Sequence, residues 1–223
     1  MRSRSPGPLP HAWACHACLD LVNSRWTDHL GSGRVHDRLP LPEWREAFFA
    51  HWGLEVRSVG EDRVADLARL RALLRRLLEA FAAGRPLPAA DVEALNRLLA
   101  RTPVIRRLEP AGSTGAAPAS PGDRLRLREV PARRDWDWAL AEIAVSAARL
   151  LAEGEPDRLR VCANPACSWM FYDESRNASR RWCEATVCGS LVKVRRFRSR
   201  RPGSGEHGAP RPTSACRRPG PAP

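Results

Sequence analysis

CANPACSWMFYDESRNASRRWCEATVC, residues 162–188, decides how the chain must be read. It holds four of the seven cysteines, in two pairs. Four residues separate Cys162 from Cys167, four separate Cys183 from Cys188, and fifteen lie between the pairs. Two short-spaced pairs can converge on one tetrahedral Zn²⁺, because each tight turn delivers two thiolates. Asn164-Pro165 sits inside the first turn, where proline presets φ. Gly189 follows the last cysteine, where the backbone must bend. The competing readings are two disulfides or four unrelated core thiols. Paired short spacings in a cytosolic chain favour the metal.

The cytosolic expectation rests on the start of the chain. Residues 1–12, MRSRSPGPLPHA, follow the basic start with prolines rather than with the apolar run of a secretory signal. No apolar run approaches the ~20 residues that span a bilayer. The expectation is a cytoplasmic protein with reduced thiols and no membrane partner.

The 223 residues are 43% hydrophobic, enough for a core, and carry a net charge of +12. Such a balance points to a polyanionic partner. Lys193 is the only lysine among the 37 Lys and Arg residues, and Ala, Pro and Gly are abundant, so a GC-rich genome accounts for part of the arginine. The charge is concentrated all the same. From Arg158 to Arg201 eleven Lys and Arg residues face three acids. Four thiolates around Zn²⁺ carry a formal −2, so some of these arginines offset the metal site.

Upstream of the cysteines the pattern is mainly helical. HAWACHACLDLVNSRW (11–26) suggests a first short helix or a buried turn. LPEWREAFFAHWGL (41–54) reads as a helix with Pro42 in its first turn and Gly53 as a stop. EDRVADLARLRALLRRLLEAFAAG (61–84) has one apolar stripe and ends at Gly84. LPAADVEALNRLLART (87–102) turns Val92, Leu95, Leu98 and Leu99 to a core. VIRRLEP (104–110) and DRLRLREVP (123–131) read as a hairpin around the low-complexity connection AGSTGAAPASPG. DWDWALAEIAVSAARLLAEG (135–154) is a further helix, capped by Asp135 and stopped by Gly154. Residues 202–223 are Pro/Gly-rich and expected to be disordered. No phosphate loop, His-Glu-x-x-His or Gly-x-Ser-x-Gly motif is present.

Within the cysteine segment, Trp169 to Tyr172 suggest a strand covering the metal. From Gly189 a helix is expected. At about 100° per residue, Leu191, Val194 and Phe197 fall on one side, while Lys193, Arg196 and Arg200 lie within about 60° of one another on a second. The metal then substitutes for a core that so small a unit cannot bury. The basic stripe either meets phosphates or is a solvated face.

The segment RLRVCANPACSWMFYDESRNASRRWCEATVCGSLVKVRRFR resembles the CGNR zinc finger, a module that ends in Cys-Gly-Asn-Arg and a basic stretch. ACLDLVNSRW, through Leu19, Asp20, Val22 and Asn23, resembles the opening of its companion, the ABATE domain, an N-terminal domain of bacterial stress-induced transcription regulators. LRALLRRLLEAFAAG and VEALNRLL are similar to helices of that domain. The resemblance covers roughly residues 12–200. It implies a zinc-binding, DNA-binding bacterial regulator. Ser179-Arg180-Arg181-Trp182-Cys183 and Lys193-Val194-Arg195-Arg196 match the family pattern, but Ser190-Leu191 stands where the family has Asn-Arg. If that family arginine meets phosphate, one such group is missing here.

Other residues carry two readings each. Cys15 and Cys18, with His11 and His16 close by, form either a second metal site or incidental thiols. The resemblance implies no metal there, and a second ligand pair is lacking. Asp20 and Asn23 face a ligand pocket or cap a helix. Arg71 binds an anion or extends to solvent. The tryptophans are scattered, as in an aromatic-rich core.

The expected architecture is mainly α with a small β-hairpin: a disordered lead (1–11), an ABATE-like helical domain (12–154), a CGNR-like Cys₄ zinc finger of knuckle, hairpin and helix (155–201), and a disordered tail (202–223). One structural Zn²⁺ is expected on Cys162, Cys167, Cys183 and Cys188. DNA contacts are expected from Arg180, Arg181, Lys193, Arg195, Arg196 and Arg200, with an unknown small ligand for the helical domain. The alternatives are a protein- or RNA-interaction module with a purely structural zinc, and an enzyme. Four cysteines fill the zinc and no nucleophile–base pair is visible, so no catalysis is expected.

Overall fold

The computed structural model describes residues 14–54, 56, 60–110 and 124–200, with Arg200 described by its backbone only. The expected lead, tail and 111–122 connection lie outside the described residues.

The order of elements follows the hydrophobic pattern. Helix α1 (Ala17–Asn23) is buried along its whole length. It is apolar nearly all round, as a central helix must be. Two longer helices enclose it. Helix α3 (Val64–Ala82) turns in Leu67, Leu74, Leu77 and Leu78, all at 0% exposure. Helix α5 (Trp136–Glu153) contributes Ile143, Ala144 and Ala147. Each leucine fully buried in this way contributes roughly 2 kcal/mol. The alanines leave room for α1 to approach α5 closely. Helix α2 (Pro42–His51) adds Phe48 and Phe49, and α4 (Ala89–Leu99) adds Leu95, with Val92, Leu98 and Leu99 half-buried beside it.

Local signals end these helices where expected. Pro42 stands in the first turn of α2. The Asp135 carboxylate accepts the Trp138 backbone N–H at 3.0 Å, capping α5. Gly84 leaves α3 with φ +60°, a conformation that side chains rarely tolerate.

Three antiparallel hairpins complete the fold. Strands β1 (Arg25–Thr27) and β2 (Val35–Asp37) pair Trp26 with His36. This hairpin was not anticipated, because three-residue strands are too short to show a period. Strands β3 (Val104–Pro110) and β4 (Leu125–Pro131) form the expected ribbon, with Leu108 opposite Leu127. Strands β5 (Leu159–Val161) and β6 (Met170–Tyr172) frame the first cysteine pair. Helix α6 (Ser190–Arg200) closes the described chain.

The cysteine segment shares the main core. Leu159 and Met170, at 1% and 0% exposure, belong to the same cluster as α1, α3 and α5. Asn23, 1% exposed, makes the most specific link. Its Nδ2 donates to the Met170 carbonyl at 2.8 Å, and its Oδ1 accepts the Met170 N–H at 2.9 Å. The side-chain amide thus stands in for a neighbouring strand beside β6. Asn23 therefore neither caps a helix nor faces a pocket. Asp20 likewise turns inward, accepting the Ala14 N–H at 2.8 Å and the Trp52 indole N–H at 3.0 Å. Burial pushes its carboxyl up to about 7, against those two hydrogen bonds.

Asn23→Ala should cost about 3 kcal/mol, since two buried backbone groups of Met170 lose their partners. Asn23→Asp should cost at least as much, because an acceptor would then face the Met170 carbonyl. Urea unfolding of the zinc-loaded protein measures both, and wild-type stability in either variant would remove Asn23 from this role.

Candidate metal centre

Two turns and one irregular helical turn assemble the site. After β5 the chain passes Cys162 and bends through Asn164-Pro165 to Cys167, whose N–H donates to the Asn164 carbonyl at 2.8 Å. The Cys162 N–H donates to the Trp169 carbonyl at 2.9 Å, closing the knuckle against β6. Cys183 follows a polar turn, and Cys188 lies in a π-helical turn, Ala185–Gly189, that runs into α6. The four Sγ atoms all lie within 4.8 Å of one another, and all four residues are buried. Cys167 and Cys183 stand 3.8 Å apart, and Cys183 and Cys188 3.6 Å.

These separations fit one metal. Thiolates about 2.3 Å from a tetrahedral Zn²⁺ are about 3.8 Å from one another. A disulfide requires about 2.05 Å, so the paired-disulfide reading is overturned. The chemistry of the donor set points the same way. Hydrogen bonding among the four pushes Cys183 and Cys167 up, both first through Cys162, while Cys162 and Cys188 are lowered, so the thiols do not all ionise together. A bound cation reverses that balance and holds the thiolates ionised. The residues present therefore fit a single structural zinc, which would tie the knuckle to α6.

Around the sulfurs stands a second layer. The Cys183 N–H points at Cys162 Sγ at 3.5 Å, and Asn164 Nδ2 at Cys188 Sγ at 3.6 Å. Asn164 is at 0% exposure, and the same amide also donates to the His29 carbonyl at 3.0 Å. Phe171 packs on the thiols, with Trp169 and Trp182 outside it. Gly189 is required for space rather than for a bend: a Cβ there would meet the Trp182 ring at 2.9 Å. Asp173, at 0% exposure, organises the polar turn by accepting the N–H groups of Ser175 at 3.0 Å and Arg180 at 2.7 Å. Burial opposes its charge, yet these bonds hold its carboxyl below the usual range. Nothing in spacing or composition singled out Asn164, Asp173 or Trp182 for these roles, although Asn-Pro in the first turn was a visible turn signal.

The arginines divide into two sets. Arg158 donates to the carbonyls of Asp173 and Ser175, at 3.0 and 2.8 Å. Arg160 donates to those of Asp157, Ala178 and Arg180. Arg180 binds the Trp182 carbonyl at 3.0 Å and the Cys183 carbonyl, and lies over the Phe171 ring at 4.6 Å. Arg195 reaches back to the Leu30 carbonyl and to Asn164 Oδ1. A knuckle this short cannot pair its carbonyls in a sheet, and guanidinium forks satisfy them instead. Two residues expected to meet DNA, Arg180 and Arg195, thus hold contacts within the protein although both are exposed. Arg181, Lys193 and Arg196 are exposed, Arg181 lying over Trp182 at 5.2 Å.

The docked face of α6 is settled by the structure. Val192, 8% exposed, is its buried apolar residue, while Val194 and Phe197 are 46% and 60% exposed. Periodicity shows which residues share a face, but the π turn and the Arg195 contact decide which face docks.

The remaining candidates lie elsewhere. Cys18 is in the core at 0% exposure, its thiol pushed up to about 12 by burial. Cys15 is exposed and pushed up to about 11 by burial and Glu174. His11 lies outside the described residues. Arg71 neither extends to solvent nor lies open to an anion: it pairs with both oxygens of Asp37 at 2.7 Å, and with Ser24 Oγ at 2.8 Å.

The class is therefore that of a Cys₄ zinc finger fused to a helical domain. A family model named ABATE and described as a putative stress-induced transcription regulator matches residues 15–154. The CGNR zinc finger model matches residues 158–201. The first match spans more than half of the chain, and the protein belongs to the ABATE family. No curated protein matches it. No helix among the described residues is long and apolar enough to cross a membrane.

Purified protein should contain about one zinc per chain. Cys183→Ser should lose that zinc and the fold of residues 158–200, whereas the double substitution Cys15→Ser, Cys18→Ser should keep it. Metal analysis of the three proteins reads the outcome directly.

Proposed function

We propose that the protein is a cytoplasmic, DNA-binding transcription regulator whose zinc-anchored helix α6 meets DNA phosphates, and whose helical domain responds to a small ligand. The supporting observation is the exposed basic group on α6. Lys193, Arg196 and Arg198 stand at the surface and form no ion pair among the described residues. Arg200 follows one turn after Arg196, and Arg181 is exposed on the polar turn before Cys183. The metal gives α6 a rigid base, so these cations can act together rather than as a loose tail. Arg180 and Arg195 serve as positioning residues, holding the polar turn and the start of α6. The reading assigns no catalytic step: four protein thiolates leave no coordination position for a substrate. The family name supports regulation, and the finger supports nucleic acid.

The exposed Val194 and Phe197 on the same helix favour a second reading, in which α6 meets a protein. Salt dependence separates the two, because each phosphate contact releases counterions and contributes a log–log slope of about −0.9. Arg196→Ala should weaken binding to many duplexes alike and reduce that slope by roughly one, with zinc content unchanged. Ser190→Asn with Leu191→Arg, which restores the family motif at the start of α6, should tighten binding. Fluorescence anisotropy with labelled duplex DNA over a salt series measures both. If neither substitution changes binding, the protein-interaction reading replaces this one.

A further inference from the structure

A cavity of about 470 Å³ opens where α1, α5 and the segment after α2 meet the end of β6. That volume lies within the range of small-molecule sites. One wall is apolar, built from Ala17, Trp52, Leu54 and Tyr172. Cys15 and His16 also line this side, and two of its polar groups already have partners. The Trp52 indole N–H donates to Asp20, and the Tyr172 hydroxyl accepts the Glu155 N–H at 3.0 Å. What these two side chains offer the cavity is ring surface, with the Tyr172 O–H left to donate.

The opposite wall is α5. Glu142, Ser146, Arg149 and Glu153 line it at steps of four, three and four residues, so they form one row along the helix. Glu142 accepts the Trp138 indole N–H with one oxygen, at 3.1 Å. Ser146 Oγ accepts the Cys18 N–H at 3.3 Å. Arg149 and Glu153 are four residues apart yet form no ion pair among the described residues. Arg75 and Glu79, at the same spacing and in the same order on α3, do pair. The Arg149 guanidinium thus stands open between two carboxylates, beside an apolar wall.

We propose that this cavity binds an α-amino acid with an apolar side chain. A lone carboxylate would find Arg149 but also Glu142 and Glu153. A lone amine would find the carboxylates but also Arg149. A zwitterion matches both. Its carboxylate takes the Arg149 fork, its ammonium takes Glu153, about one turn along α5, and its side chain lies against Ala17, Trp52 and Leu54. The proposal names the ligand class and the site for the ligand response proposed above. It also supplies a link to the metal. Tyr172 ends the strand that Asn23 grips at Met170, so an occupied cavity bears on the knuckle through β6.

The test is calorimetric titration of the full-length, zinc-loaded protein with L-leucine and L-phenylalanine. It is run beside 4-methylpentanoate and 3-methylbutan-1-amine, which are leucine without its amine and without its carboxylate. At least one amino acid should bind saturably, one per chain, and both analogues should bind about tenfold or more weakly. Arg149→Ala, at an exposed position, should lose about tenfold in affinity while zinc content and unfolding midpoint stay unchanged. Val145→Trp, which fills the cavity from α5, should abolish binding. The proposal is overturned if neither amino acid binds at about 10 mM, if an analogue binds as tightly, or if Arg149→Ala retains wild-type affinity. No DNA enters these titrations, so a failure of the DNA-binding reading leaves their outcome untouched.

Discussion

Four sulfur atoms that all lie within 4.8 Å of one another constrain everything after residue 158. Thiols so placed resist ionising together, and protonated they hold little. A tetrahedral cation turns the same arrangement into the strongest link in the segment. Its geometry requires two turns and a helix start to meet at one point. The Asn164-Pro165 bend, the Ala185–Gly189 π turn and the bare Cα of Gly189 under Trp182 are the local solutions. So is the use of arginine. The knuckle has few strand partners for its carbonyls, and Arg158, Arg160 and Arg180 supply the missing donors. Part of the positive charge that suggests a nucleic-acid partner is therefore structural, and the partner must be argued from what remains exposed.

The metal segment is not an appendage. Leu159 and Met170 lie in the helical core, and Asn23 pairs with both backbone groups of Met170. Arg75 on α3 donates to the Ser168 carbonyl at 2.8 Å, and Thr27 donates its N–H to Ser168 Oγ at 2.9 Å. The central helix α1 thus touches α3, α5 and the strand that carries the metal turn. These contacts join α1 and α3 directly to the zinc turn.

Much of the fold was legible in the chain. The apolar stripes of α3 and α5, the Asp135 cap and the stops at Gly53 and Gly84 are local signals, and local physics decided them. The ribbon of β3 and β4 showed through its period of two. The β1–β2 hairpin did not, since three residues carry no period. Asp20 and Asn23 stood out as polar residues in an apolar run, but whether they faced a pocket or capped a helix was decided by partners elsewhere in the chain, Trp52 for Asp20 and Met170, 147 residues away, for Asn23.

The sequence by itself determined the metal. Ligand type and spacing are covalent facts, and two close cysteine pairs leave few other outcomes for reduced thiols. It also determined which residues of α6 share a face. Tertiary structure decided which face is turned inward, setting Val192 inside and Phe197 outside, because docking depends on the π turn and on the reach of Arg195 to Leu30. It likewise decided which arginines are free. Identical side chains a few residues apart meet carbonyls or solvent according to neighbours that are distant in the chain, and no local pattern encodes those neighbours.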